Sequence, residues 1–241
     1  MEFSVIAAML ASTVGGGIVA SVCGFGFGAV AMSVWPYFLP YAQSVAVSAL
    51  CGACTALMIA VPFRKSINFK TLLPCVIFGP TAAAVAAQLA VGAADTLMVP
   101  ALGVMLVAVS VYSLFFGGKI TIRPTFLNGA IAGLIGGTCA GLTSVGGPPV
   151  AIYMLSSARD NQEYRATLNA YFCFTTIISS CVRAANGIIT LPIVKLWLMV
   201  VAALALGLWL GNKIFNRLNA VMLRRVVYTY LLFSGLTMIF K

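Results

Sequence analysis

Histidine is absent from this chain, and acidic side chains nearly so: Glu2, Asp95, Asp160 and Glu163 are the only carboxylates in 241 residues. Without histidine, a mixed Cys/His metal centre lacks its nitrogen ligands, and a serine or cysteine nucleophile lacks its usual base. The four carboxylates all lie near the ends of apolar segments, which argues against a proton relay carried by acids inside a membrane. Facilitated export, ion coupling through backbone carbonyls and protonation of the substrate itself stay open. Charge of either sign is scarce too. Charged residues make up 7% of the chain, against about 25% in a soluble domain, so it cannot cover itself in water.

What is present is hydrocarbon. Hydrophobic residues make up 62% of the sequence, and the mean hydropathy is +1.08. Apolar runs of about 17–25 residues recur, each long enough to cross roughly 30 Å of lipid tails. The first is followed by many others and so is no cleavable signal. The segments lie at about 3–23, 28–40, 44–62, 71–91, 96–116, 127–143, 148–157, 165–183, 191–211 and 222–240. The reading is an all-α polytopic protein, one integral membrane domain with the lipid bilayer as its first partner.

The formal charge of +10 comes from fourteen Lys and Arg in short clusters between apolar runs. That is the pattern of membrane topology signals and lacks the basic stripe with interleaved aromatics that nucleic acid requires, so no nucleic-acid partner is expected. Seven cysteines sit within or beside the apolar runs. Cys51-x-x-Cys54 has zinc or redox spacing, but its flanks read as membrane helix and there is no second pair. The thiols are read as small buried hydrophobes, with no metal and no cofactor.

Two stretches break the hydrophobic pattern: "CGFGFGAVAM" at 23–32 and "SVGGPPVAIYML" at 144–155. A shift of 120 positions lays Gly26 to Ala31 on Gly146 to Ala151. Further on, "FRKSINFKTLLP" resembles "VRAANGIITLP". The shared order points to a duplication, with repeats at 1–118 and 119–241. The apolar segments behind the breaks, 28–40 and 148–157, are too short to span alone. If each broken stretch crossed once, the basic residues would divide eight against six. If each is a hairpin of shortened helices returning to its own face, eleven (64, 65, 70, 119, 123, 159, 165, 213, 217, 224 and 225) share one side and three (183, 195 and 241) the other. The positive-inside rule selects the second arrangement. Each repeat is then one hairpin plus three crossings, an odd number, so the second copy is inverted and both termini are external.

Breaks at membrane depth leave backbone groups unpaired unless protein, water or ligand satisfies them. The helix beginning after a break offers free N–H groups and a partial positive charge, which suits an anion. Ser144 can cap the turn or bond a ligand. Gly146 and Gly147 permit close approach and unusual φ values, and Pro148 and Pro149 suit the first helical positions. In the first break Gly24, Gly26 and Gly28 give the same freedom, with Phe25 and Phe27 as candidate pocket walls. The bland reading of such glycines is close helix packing, as in Gly129, Gly133 and Gly137 spaced by four.

These stretches also carry a resemblance. "GLTSVGGPPVAIYMLS" followed by "EYRATLNAYF" resembles the TauE/SafE family of sulfite and sulfonate permeases, over essentially the whole chain. "GFGFG" departs from the "GIGGG" form commoner in the first half. The resemblance implies a non-enzymatic transporter of small sulfur-containing anions, such as sulfite, sulfoacetate or other sulfonates, in the cell inner membrane. Its glycine motifs map onto Gly24, Gly26 and Gly28 and onto Gly146, Gly147 and Pro148.

Three other polar residues are candidates. Arg64 and Arg183 occupy nearly equivalent places after the two hairpins, as anion-attracting vestibules or as interfacial anchors. Asn169 either bonds helix to helix or touches substrate. The expected site is therefore an anion held between two hairpin tips facing each other at the midplane, by Gly24 to Gly28, Ser144, Gly146, Gly147, Pro148, Asn169, Arg64 and Arg183. An anion channel, a carrier of short carboxylates and a cysteine-dependent redox protein remain as alternatives, and a homodimer remains open.

Overall fold

Helix boundaries follow the breakers and caps of the sequence. The computed structural model describes residues 3–115, 122–214 and 220–240. Among them are ten α-helices and no strand: α1 (Phe3–Cys23), α2 (Phe27–Met32), α3 (Tyr41–Ala60), α4 (Phe69–Ala90), α5 (Asp95–Phe115), α6 (Phe126–Thr143), α7 (Gly147–Leu155), α8 (Asn161–Ala185), α9 (Leu191–Ile214) and α10 (Ala220–Ile239). Asn68 caps α4 by accepting from the amides of Lys70 and Thr71, Thr125 caps α6, and Asp160 caps α8 at Glu163 N. These side chains satisfy amides that a helix start leaves without partners.

Six helices, α1, α3, α4, α5, α6 and α9, are long and apolar enough to cross a bilayer. The helix pairs at the two breaks differ from the expected hairpins of shortened helices. Their first arms are full length, 21 residues in α1 and 18 in α6. All the shortening falls on the second arms, six residues in α2 and nine in α7. Pro36 and Pro40 end the first of these early, since neither can donate to a continuing helix, and only a 3₁₀ turn over Trp35–Tyr37 lies between α2 and Pro40.

The short arms fold back along the long ones. Trp35 Nε1 donates to Ser12 Oγ at 3.0 Å, tying the end of the first pair to α1. The Tyr153 hydroxyl donates to Thr125 O at 3.3 Å, and Ile122 N to Ser156 Oγ at 3.0 Å, which ties the end of α7 to the start of α6. The remaining helices pair across the chain: α1 on α9, α4 on α6, α3 on α8 and α5 on α10. α4 and α6 run in the same direction. Gly129, Gly133, Gly137 and Gly141 face Pro74 and the backbones of Cys75, Gly79 and Ala83 in turn. The four-residue spacing on α6 is thus a packing seam. α1 and α9 also run in one direction, with Gly207 against Val14 and Gly211 against Ser21.

α8 lies between α3 and α4. It is the most polar of the long helices and is not among the six apolar ones. Its Thr167, Asn169, Thr175, Ser179 and Arg183 are all buried. It starts four residues before the predicted segment because the Asp160 cap lets a polar first turn be helical. Between α5 and α6, residues 116–121, with Lys119, and between α9 and α10, residues 215–219, with Arg217, lie outside the described residues.

Candidate functional site

The two breaks in the hydrophobic pattern touch. The carbonyl of Ser144 rests on the Cα of Gly28, where any side chain would collide with it, and the ring of Phe25 rests on Gly147 in the same way. Gly24 and Gly26 are left-handed, at φ 81° and 108°. Ser144, at φ 62°, is the one non-glycine residue with positive φ among the described residues. Such backbone is uncommon and needs its surroundings to hold it. Gly146 and Gly147 work differently from the expectation. Neither has positive φ; each provides space, Gly146 for the carbonyl of Gly136 and Gly147 for Phe25.

Between the breaks lies a cavity of about 70 Å³. At 10–15 Å³ per water-sized sphere this is room for roughly five to seven, the scale of one small anion. Phe25, Gly26, Phe27 and Gly28 line it from the first break, Ser144, Gly146, Gly147 and Pro148 from the second, and Asn169 from α8. No charged side chain among the described residues lines it. Its polarity comes from backbone, hydroxyl and amide groups.

Three sequence-predicted residues stand elsewhere. Gly24 lies just outside, packed on Arg165 and Tyr164. Arg64 is exposed in a 3₁₀ turn over Arg64–Ser66, after α3. Arg183 departs furthest from the expectation of a surface vestibule or anchor. It is 3% exposed and donates to the carbonyls of Ser179, at 3.1 Å, and Gly141. The reason is tertiary: Gly141 sits near the end of α6, where carbonyls lack helical partners, and the guanidinium reaches in to satisfy one.

Asn169 was open between packing and substrate contact. It is 1% exposed, and its amide protons go to Gly24 O and Arg165 O, both at 2.9 Å. It pins the first break to α8 and has only its carbonyl oxygen left to offer. α7 is likewise poorer in donors than the motif suggested. Of its first four residues only Gly147 and Val150 carry an N–H, because Pro148 and Pro149 have none.

Apart from Asn169, sequence reasoning missed the lining that α3 and α8 bring to the cavity between the breaks. α3 contributes Ser48, Gly52 and Thr55, and α8 contributes Asn169, Phe172 and Thr176. The spacings i, i+4, i+7 and i, i+3, i+7 each mark one helical face. The offset of 121 from Ser48 to Asn169 and from Thr55 to Thr176 nearly matches the 120 between the breaks, a signal the sequence did contain.

The family model described as Sulfite exporter TauE/SafE matches residues 8–238. No curated protein and no solved structure shows significant similarity to the chain.

Proposed function

The chain belongs to the TauE/SafE sulfite exporter family, and from that premise we propose that it carries sulfite or a similarly small sulfur-containing anion across the inner membrane through the cavity between its two backbone breaks. The observation that carries this reading is a mostly apolar cavity, with a few hydroxyl, amide and backbone groups and no charged side chain among the described residues, at the point where both helix interruptions meet. A fully charged pocket would hold an anion tightly and release it slowly. A pocket of dipoles offsets the charge only in part, as a carrier needs. The N-terminus of α7 contributes a partial charge of about +0.5. α2 spans under two turns and adds less. A monoanion suits this field; a fully desolvated dianion exceeds it.

Two inverted repeats supply the alternating geometry in this reading. Each first helix packs on the third long helix of the other half, α1 on α9 and α6 on α4, which is the exchange that a two-fold axis requires. Each hairpin returns toward its own start. Tracing the chain from the Tyr41–Asp95 contact and from the contact of Asn68 with Thr167 and Glu163 puts Arg64, Lys65, Lys70, Arg159 and Arg165 at the end of the bundle where α8 begins. Arg183 and Lys195 fall at the other end. The first end is cytoplasmic by the positive-inside rule.

The test is direct. Purified protein is screened by thermal shift against sulfite, sulfate, thiosulfate, sulfoacetate, taurine and acetate, and the stabilising anions are then followed as flux in proteoliposomes. A ligand should raise Tm with concentration as RT ln(1 + [L]/Kd). Stabilisation by acetate alone would turn the assignment to carboxylates, and by none of them would overturn it.

A further inference from the structure

We propose that Ser48, on α3, donates its hydroxyl directly to the transported anion. This rests on the cavity being the anion site and names a contact that neither glycine motif contains. Four aliphatic hydroxyls line the cavity: Ser48, Thr55, Ser144 and Thr176. Two are committed to their own helices, Thr55 to Cys51 O at 2.9 Å and Thr176 to Phe172 O at 2.5 Å. Ser144 belongs to the second break itself.

Ser48 is different in kind. It is 0% exposed, and its Oγ has no hydrogen-bond partner among the described residues. A helical serine can always turn back to the carbonyl four residues earlier, as Thr55 does. Ser48 leaves that bond unmade and lines the cavity instead. A buried hydroxyl without a partner is costly, and such groups in native structures call for a reason such as a ligand. An anion supplies one, because its charged oxygens accept hydrogen bonds.

The need for this donor follows from the rest of the lining. Asn169 has committed both amide protons, and two prolines strip donors from the start of α7. An anion stripped of water there must recover its hydrogen bonds from the donors that remain. Ser48 on one wall and Ser144 at the break provide two side-chain donors. Hydroxyls suit oxyanions of several shapes because the proton rotates to meet the acceptor.

The experiment measures sulfite binding by calorimetry, and apo Tm, for the parent, Ser48→Ala, Ser110→Ala and Gly147→Val. Ser110 is a fair control, a buried serine also without a partner among the described residues and outside the cavity lining. Loss of a hydrogen bond to a charged group should weaken sulfite binding about tenfold to a hundredfold in Ser48→Ala. Its apo Tm should be unchanged or raised, since an unsatisfied buried group is removed. Ser110→Ala should bind as the parent does. Parental affinity in Ser48→Ala with loss in Gly147→Val would sink the Ser48 contact and leave the cavity reading standing. Parental affinity in both, or a parent that binds no sulfite, would sink both. Equal weakening in Ser110→Ala, or a lowered apo Tm in Ser48→Ala, would make the effect one of folding and overturn the contact.

Discussion

The guanidinium of Arg183, in the last turn of α8, donates to the carbonyl of Gly141, close to the second break. Its other hydrogen bond among the described residues goes to Ser179 O. The cation is thus buried on carbonyl oxygens, with no carboxylate joined to it among the described residues. A charge buried without an opposite charge carries a desolvation cost that carbonyl dipoles only partly offset.

Arg183→Met, which keeps the length and removes the charge, should leave Tm near the parent's, since relief of the buried charge offsets the Gly141 carbonyl left without its partner, while sulfite flux falls by at least about tenfold. Thermal unfolding and proteoliposome flux are measured on the same preparation. A lower Tm with parental flux would identify Arg183 as a structural strut between α8 and α6.

The contact between the breaks is testable at single carbons. Gly28→Ala places a methyl on the Ser144 carbonyl, so the two breaks must separate. Gly15→Ala meets nothing within 4 Å and serves as the control. The first should reduce sulfite affinity at least about tenfold, and the second should leave it unchanged. Gly26→Val should lower stability as well, since left-handed backbone costs a non-glycine residue about 1–2 kcal/mol. Parental affinity in Gly28→Ala would separate the breaks from the site.

Arg64 lies exposed and outside the lining, so its influence on an anion acts through its field and not by contact. Arg64→Ala should slow sulfite flux at low ionic strength and have little effect at about 0.15 M salt, where fields are screened beyond roughly 8 Å. Equilibrium Kd at high salt should match the parent. A tenfold loss of affinity there would mean that Arg64 holds the anion in some state of the transport cycle.

Topology is read with a single new thiol. In a chain with all seven native cysteines replaced, which should still transport, Ser66→Cys should react with an impermeant maleimide only from the cytoplasmic side. Reaction from outside alone would reverse the orientation. Loss of transport in the cysteine-free chain would reopen a role for the thiols.

Much of this was legible from local chemistry. Hydropathy separated the membrane segments, and the glycines and prolines of the two motifs marked where helices stop, because a missing Cβ or N–H acts on the backbone within a turn. The scarcity of acids and the clustering of basic residues likewise needed no coordinates. The fate of individual polar groups was not legible. Arg183 read as a surface charge because its neighbours in sequence place it near a segment end, yet its partner is 42 residues away. Asn169 spends its amide on Gly24, 145 residues away. Ser48 looks like any helical serine until the cavity beside it is seen. Where membrane segments lie and where helices break are short-range consequences of apolarity and of missing Cβ and N–H groups, so the sequence alone determined them. Whether a donor is satisfied depends on which distant atoms packing brings within about 3 Å, and only the tertiary structure decided that.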